Sequence, residues 1–255
     1  MLIGAAAEGG GPMSYEPTAE KLLPDLTAAE EVAILARTLW REGYDDHLAG
    51  HITYKQPDGT LLCNPWYVLW CQVRPEQVIR IDLEGNVLEG DWPAPQGIPL
   101  HLELHNRRDV NVAVHSHPRY ATIWADAGRV PPVYDQSSAL GGGRITLVDE
   151  YTGAVNDAGS AAAAVEAMGD ADMALLANHG VLVLAGSIRA AHQRAVALEQ
   201  RCRHAWHVEA LGGGRELPEP ARSFFAASDG EAFLGFWEAM AREELRADPS
   251  LLEPR

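Results

Sequence analysis

The chain has 255 residues, 47% of them hydrophobic, which suits one large domain or two small ones. Its 20 basic and 36 acidic residues give a net charge of −16 at pH 7, which argues against a protein that neutralises nucleic-acid phosphates or docks on an anionic membrane. Three cysteines, no apolar stretch of bilayer length and no pattern of a secretory leader predict a cytoplasmic protein with small-molecule partners.

The N-terminal part of the sequence contains one segment without periodicity and one clear helix start. Residues 1–18 are rich in glycine and small residues, so we expect a flexible extension before a single domain over residues 19–255. Thr27 and Glu30 have the spacing of a capping box. The apolar stripe behind them predicts a helix that ends at Gly43.

Further along the chain, turn residues separate short runs of strand formers, and apolar stripes mark helices. The sequence predicts, in order, hairpins over 51–64 and 78–90, a proline-rich loop over 91–99, a helix from Leu100 to before Asn111, a strand over 110–117 closed by Pro118 with a helix after it, a strand over 144–148, a helix over 158–168, strands over 173–177 and 181–184, a helix from Ser187 to Gly212, and a last helix near 231–246. Helices interleaved with hairpins indicate a largely antiparallel or mixed sheet with helices on its faces.

Three histidines at strand ends are candidate metal ligands. His115 and His117 lie two residues apart on a predicted strand, so both imidazoles point the same way and can reach one ion at roughly 2.0 to 2.1 Å. His179 lies in an Asn-His-Gly turn at the end of an apolar strand, where a polar side chain needs a partner and Gly180 permits a sharp backbone path. Two surface histidines and one satisfied core histidine would give the same pattern.

Five segments in succession carry a family resemblance: GHITYKQPDG, NPWYVLW, IRIDLEGNVLEG, IPLHLELHNRRDVNVAVHSHP and LLANHGVLVLAG. This succession resembles the class II aldolase and adducin head-domain family over about residues 27–212. The resemblance implies an α/β fold, a three-layer α/β/α sandwich around a mostly antiparallel sheet. It also implies one divalent metal ion held by His115, His117 and His179, with zinc preferred and manganese or iron as alternatives, and a homotetramer with its active site at a subunit interface.

The departures from the family pattern bear on the substrate. The sugar-phosphate aldolases of the family carry an acid–base carboxylate four residues before the histidine that aligns with His101, and this chain has Gly97 there, after Gln96. Their phosphate-binding Gly-Asn reads Gly50-His51, and their Thr-Pro-Ser-Gly loop reads Asn64-Pro65-Trp66-Tyr67. These changes remove small donors or insert bulky rings, so they disfavour a phosphorylated sugar and place the chain in an adducin-like branch.

The replacements define a different pocket. His51 could bind a substrate carboxylate or move a proton, because an imidazole titrates near neutral pH, and Tyr134 and Tyr151 are alternative proton donors. Trp66, Tyr67 and Trp70 could form a flat apolar wall, although core packing uses the same residue types. We assign substrate contacts to Gly50, His51, Asn64, Trp66, Gln96, Gly97 and His101. The candidates for the missing carboxylate are Glu103, Asp149 and Glu150, and the histidines expected to be solvated on the long helix are His192, His204 and His207.

The sequence therefore predicts a metal-dependent carbon–carbon lyase that acts on a small non-phosphorylated hydroxy- or oxo-carboxylate. Because one branch of the family decarboxylates hydroxylated aromatic acids, the resemblance favours a decarboxylase of an aromatic hydroxy acid. Three alternatives stay open: an aldolase acting on a hydroxy-oxo acid, a non-haem iron oxygenase on the same scaffold, and a non-catalytic adducin-like interaction module.

Overall fold

The computed structural model describes residues 23–149, 155, 157–226 and 235–253. The expected N-terminal extension over residues 1–18 lies outside the described residues, as do Glu150, Tyr151 and the first part of the last predicted helix.

The described chain contains seven α-helices and eight strands. The helices are α1 Ala28–Arg41, α2 Ile98–Arg107, α3 Arg119–Asp126, α4 Ala158–Met168, α5 Ile188–Ala210, α6 Glu219–Ala226 and α7 Phe236–Ala247. The strands are β1 His51–Lys55, β2 Leu61–Cys63, β3 Ile79–Ile81, β4 Val87–Glu89, β5 Val112–Ser116, β6 Ile145–Val148, β7 Met173–Leu176 and β8 Gly180–Ala185. Among the helices described, none combines the length and the apolar character that crossing a bilayer requires.

The eight strands form one sheet in the order β4-β3-β2-β1-β5-β8-β7-β6. Six of the seven strand pairs are antiparallel, and the parallel pair joins β6 to β7 at one edge. The predicted mostly antiparallel sheet is therefore confirmed.

Helices cover both faces of this sheet. Val112 and Val114 of β5 pack in a hydrophobic cluster with residues of α1, α3, α5 and α7. Ala113, between them in sequence, packs in a second cluster with residues of α2 and α4. Because successive side chains of a strand point to opposite faces, this alternation places β5 in the middle layer of an α/β/α sandwich. The predicted fold class is confirmed.

Local signals placed most element boundaries correctly. Thr27 and Glu30 form the predicted capping box, with Glu30 N 3.3 Å from Thr27 Oγ1 and Thr27 N 2.6 Å from Glu30 Oε2. Helix α2 begins at Ile98 rather than Leu100, because Pro99 falls in the first turn, where its missing N–H costs nothing. The sequence analysis did not anticipate α6, a short helix over Glu219–Ala226.

The expectation that the histidines of α5 are solvated is wrong for His192. This side chain is fully buried, and its ring lies 5.3 Å from the ring of Phe236 and 5.4 Å from that of Trp237. Burial lowers the pKa of His192 to about 4, so the ring is neutral and packs as an apolar group at neutral pH. His207 is exposed as expected, and His204 is half-buried, with Nδ1 2.7 Å from Asp135 Oδ2.

A buried carboxylate of α7 binds two arginines of α1. Glu244 is only 2% exposed and accepts hydrogen bonds from Arg37 Nε, at 3.1 Å, and from Arg41 Nε. We expect Glu244→Gln to lower the free energy of unfolding by about 2 kcal/mol, because two arginines lose a charged acceptor. Glu243→Gln, at the adjacent exposed position, should change it by less than about 0.5 kcal/mol. Urea denaturation of both variants measures the difference, and equal effects would contradict this account of α7.

Candidate metal centre

Strand pairing brings four histidines to one end of the sheet. His51 of β1 is the register partner of His115 of β5, and His115 is also paired with Leu182 of β8. His117 directly follows β5, and His179 lies in the turn between β7 and β8. The two stretches of sequence that carry the predicted ligands are therefore neighbours in the sheet.

The rings of His115, His117 and His179 form a nearly equilateral triangle. Their ring centroids are 5.1 Å apart for His115 and His117, 4.7 Å for His115 and His179, and 4.9 Å for His117 and His179. One nitrogen from each ring lies within 4.8 Å of one nitrogen from each of the others. We call these three residues the histidine cluster, and an arrangement of this kind could hold one divalent cation.

Hydrogen bonds orient two of the rings in the way that metal ligands require. His115 Nδ1 lies 2.9 Å from Val181 O, and because a carbonyl only accepts, the proton is on Nδ1 and the lone pair is on Nε2. His117 Nδ1 lies 2.7 Å from Asp46 Oδ2, while its Nε2 is buried with no hydrogen-bond partner among the described residues. A ligating histidine commonly binds a carbonyl or carboxylate through its other nitrogen, so the donor set fits a cation.

Electrostatics favour the neutral, ligating form of His115 and His179. Burial and the neighbouring His51 and His179 hold the pKa of His115 well below its usual value. Burial, reinforced by His117, lowers the pKa of His179 to about 4. Burial alone would raise the pKa of Asp46, but hydrogen bonds from His47 and His117 outweigh it and lower that pKa. At pH 7 His115 and His179 therefore offer imidazole lone pairs near a charged carboxylate, which is the state that binds metal ions.

Gly180 allows the cluster to close because it leaves space. A Cβ at this position would lie 2.4 Å from His117 Cδ2 and 2.5 Å from Ser116 O. The sequence analysis attributed Gly180 to a sharp backbone path, but the positive φ in this turn belongs to Asn178, at +54°. A side chain at position 180 would push His117 away from His179.

His51 occupies the space that a side chain at position 97 would need. A Cβ on Gly97, the residue that precedes α2, would lie 2.0 Å from His51 Cε1. The His51 ring is 7% exposed, and its centroid lies 5.0 Å from that of His115. Burial, with smaller effects of His117 and His179, lowers the pKa of His51 to about 3, so the ring is neutral. A neutral imidazole therefore stands beside the cluster, in the space next to Gly97.

A chain of hydrogen bonds fixes the orientation of the His101 ring, which packs against His51. His105 Nδ1 faces Val110 O at 3.3 Å and must donate, so the Thr53 hydroxyl, at 2.8 Å, donates to His105 Nε2. Thr53 Oγ1 in turn accepts from His101 Nδ1 at 2.7 Å. His101 Nε2 is then a bare acceptor, buried with no partner among the described residues, and its ring centroid lies 5.5 Å from that of His51. His101 thus supports His51 and is not one of the three converging rings.

Two residues assigned to substrate contacts are used by the backbone around β1. Asn64 is 2% exposed, and its Oδ1 accepts from Ile52 N at 2.7 Å while Nδ2 donates to Gly50 O at 3.3 Å. A Cβ on Gly50 would lie 2.3 Å from Trp70 Cζ2. Trp70 is buried under Gly50, so it belongs to the core and not to an apolar wall of the pocket. Asn64 and Gly50 hold the strand that carries His51.

The other predicted pocket residues are more exposed. Trp66 is half-buried with its ring centroid 5.9 Å from that of Tyr67, which is 66% exposed, and Gln96 is exposed. Tyr134 donates from its hydroxyl to Glu209 Oε1 at 2.6 Å, near the C-terminal end of α5 and not at the cluster. Tyr151 lies outside the described residues.

Two of the three candidates for the missing carboxylate lie among the described residues. Neither of them places a free carboxylate beside Gly97. Glu103 forms an ion pair with Arg107 one turn further along α2, and Asp149 is exposed after β6. Glu150 is outside the described residues.

Two acidic residues without a predicted role, Asp46 and Glu199, bond the cluster and the start of α3, respectively. The side chain of His47 is 90% exposed, whereas the neighbouring Asp46 bonds His117. Glu199 is buried on α5, and its carboxylate accepts from Tyr120 N at 2.9 Å and Ala121 N at 2.8 Å at the start of α3. An acidic residue on the apolar stripe of a helix was the available signal for Glu199.

The bond between Asp46 and His117 generates a direct prediction. Asp46→Asn should weaken zinc binding by about tenfold or more, because the carboxylate sets the proton position and the basicity of His117. Competition titration with a chromophoric chelator measures this affinity. Asp45→Asn is the matched control, since Asp45 is the adjacent residue and faces Arg119 at 3.6 Å. Unchanged affinity in Asp46→Asn would separate Asp46 from the metal site.

Comparison with known proteins places this arrangement in a family. The family model for the class II aldolase and adducin N-terminal domain matches residues 30–206. The chain is 30% identical over 207 residues to 3,4-dihydroxyphthalate decarboxylase of Arthrobacter keyseri, covering 75% of this chain and 83% of that protein. It is 27% identical over 192 residues to 5-deoxy-D-ribulose 1-phosphate aldolase of Bacillus thuringiensis serovar kurstaki, covering 74% and 89%.

A solved structure agrees in fold. L-fuculose 1-phosphate aldolase from Glaciozyma antarctica PI12 superposes with a TM-score of 0.76 at 21% identity, over 90% of this chain and 96% of that chain. Together with the family match, which spans β1 to β8 and both parts of the histidine cluster, this leads to one conclusion. The chain belongs to the class II aldolase and adducin N-terminal domain family.

Proposed function

We propose that the protein is a metal-dependent carbon–carbon lyase, and specifically a decarboxylase of a small, non-phosphorylated aromatic hydroxy acid. Its relatives include both aldolases and decarboxylases, so the family alone leaves the reaction open. The observation that carries the proposal is the placement of His51 over Gly97.

The histidine cluster would hold the cation through one nitrogen each of His115, His117 and His179. Bound there, a divalent cation supplies Lewis-acid stabilisation of negative charge that develops on the substrate. We propose zinc, which suits three imidazoles, with manganese or iron as alternatives. Asp46 and Val181 O hold two of the rings in the ligating tautomer, so the chain contributes a site that is already oriented.

The loss of a carboxylate at position 97 separates the two reactions. Aldol cleavage needs a base to remove a hydroxyl proton as the carbon–carbon bond breaks. Decarboxylation releases carbon dioxide and leaves the bonding pair on carbon, which then takes up a proton, so no base is needed. Because burial lowers the pKa of His51 to about 3, its ring is a weak base. A site with this ring in place of a carboxylate is therefore better suited to losing carbon dioxide.

We assign His51 to contact with the substrate carboxylate and to relay of the proton that replaces carbon dioxide. The neutral ring would give a proton from one nitrogen while its other nitrogen takes one from water, so that the ring stays neutral. It lies against His115, while Tyr134 is bonded to Glu209 on α5. Tyr134 and Tyr151 stay alternative donors, and in the proposed homotetramer they would act on the site of a neighbouring subunit. Trp66, Gln96 and Gly97 are the proposed lining on the side of α2.

The reaction is tested with the purified protein and hydroxylated phthalates. We expect release of carbon dioxide that requires added zinc, manganese or iron and is lost in His117→Ala, which removes one nitrogen of the cluster. Arg203→Ala, on the exposed side of α5, is the control for handling and folding. Aldehyde release from hydroxy-oxo acids would favour the aldolase, and oxygen uptake by the ferrous protein would favour the oxygenase. No metal-dependent turnover of any of these substrates would support an interaction module instead.

The role of position 97 is tested by adding one carbon atom. Gly97→Ala should lower the kcat of decarboxylation by about 100-fold, because the new Cβ displaces the His51 ring from the site. Metal affinity should stay unchanged, since the three atoms nearest to the new Cβ belong to His51 and none belongs to the cluster. Gly186→Ala is the matched control, because a Cβ there would have nothing within 4 Å. Full activity of Gly97→Ala would show that the position of His51 is not needed.

A further inference from the structure

A second cavity lies away from the histidine cluster. It has a volume of about 100 Å³ and lies between α5, α6 and the segment that leads into β6. Its apolar wall includes Val133, Leu140 and Met173. Met173 begins β7 and His179 follows the end of that strand, so the cavity and the cluster are about 10 Å or more apart along β7.

Three arginines line this cavity, and no carboxylate does so among the described residues. They are Arg194 and Arg201, which lie seven residues apart on one face of α5, and Arg222 of α6. The chain as a whole carries a net charge of −16. Three guanidinium groups that face one small space are therefore a local reversal of the overall charge.

Two of the three arginines already form ion pairs with acidic residues that do not line the cavity. Arg194 Nη1 lies 3.3 Å from Asp172 Oδ1, and its Nε donates to Gly141 O at 3.1 Å. Arg222 Nε, which is itself a buried atom, lies 3.2 Å from Glu219 Oε2 of the same helix. Arg194 and Arg222 therefore line the cavity with their charges already partnered.

Arg201 has no such partner. Its Nε and Nη2 both donate to the carbonyl of Pro131, and among the described residues no carboxylate oxygen lies within 4.0 Å of its guanidinium. The group is half-buried between α5 and α6. A charge withdrawn from water is costly unless it is paired, so Arg201 offers an unused charge and an unused donor to whatever enters the cavity.

We propose that this cavity binds a small oxyanion, either inorganic phosphate or a short carboxylate. Its volume admits a group of a few non-hydrogen atoms, and planar guanidinium groups match the oxygens of such anions. The site is distinct from the histidine cluster and does not depend on the proposed decarboxylation. An anion there would join α5 to α6 through Arg201 and Arg222.

Calorimetric titration of the full-length protein with phosphate and, separately, with malonate tests the site, with chloride as the reference anion. We expect saturable binding of at least one oxyanion with one site per chain. The two affinities show whether the cavity prefers phosphate or a carboxylate. Binding should persist in His117→Ala, which removes a nitrogen of the cluster and so excludes phosphate held by a metal ion.

Two variants locate the bound anion. Arg201→Gln and Arg222→Gln should each weaken binding by about tenfold or more, since each removes a charged hydrogen-bond donor. Arg222 is closer to the surface, so its variant keeps the test valid if Arg201→Gln fails to fold. Arg203→Gln, two residues along the same helix and exposed, should leave affinity within about twofold. Absence of saturable binding, or equal affinity in Arg222→Gln and Arg203→Gln, would overturn the proposal.

Discussion

The antiparallel pairing of β5 with β1 on one side and β8 on the other is the constraint on which the site depends. It places His115 between His51 and the turn that carries His179. Side chains of a strand alternate between faces, so a slip of one residue would move His115 to the opposite face of the sheet. Val112 and Val114, which are fully buried against the helices of the other layer, fix this register through the hydrophobic core. The packing of Val112 and Val114 therefore fixes the face of the sheet on which His115 lies.

The pairing of β1 with β5 also places His51 in the space that a side chain at position 97 would occupy. His51 projects from β1 on the side of α2, where Thr53 and His101 hold the layer beneath it. Gly97 begins α2 and leaves that volume empty. Either a histidine on β1 or a side chain at the start of α2 can occupy the space, but both cannot. The absence of a side chain at position 97 and the neutral ring of His51 are therefore two parts of one packing arrangement.

Signals that act over a few residues were readable in the sequence, and contacts between distant segments were not. The capping box at Thr27, the helix over Ala158–Met168 and the closure of β5 before Pro118 all follow from neighbouring residues. The pairing of Asp46 with His117 joins segments 71 positions apart, and no local pattern marks which carboxylate of Asp45 and Asp46 turns inward. The burial of His192 was missed for a similar reason, because α7, which covers it, is far away in the chain.

Charge connects the site to its substrate. The histidine cluster consists of imidazoles, and Asp46 is the acidic group bonded to it through His117. Three neutral ligands leave the two positive charges of a divalent cation uncompensated, and Asp46 offsets only one of them. The end of the sheet would then be positive within a chain of net charge −16. Such a focused field attracts an anionic substrate while the acidic surface repels anions elsewhere, so the composition that argues against nucleic acid is compatible with a carboxylate ligand.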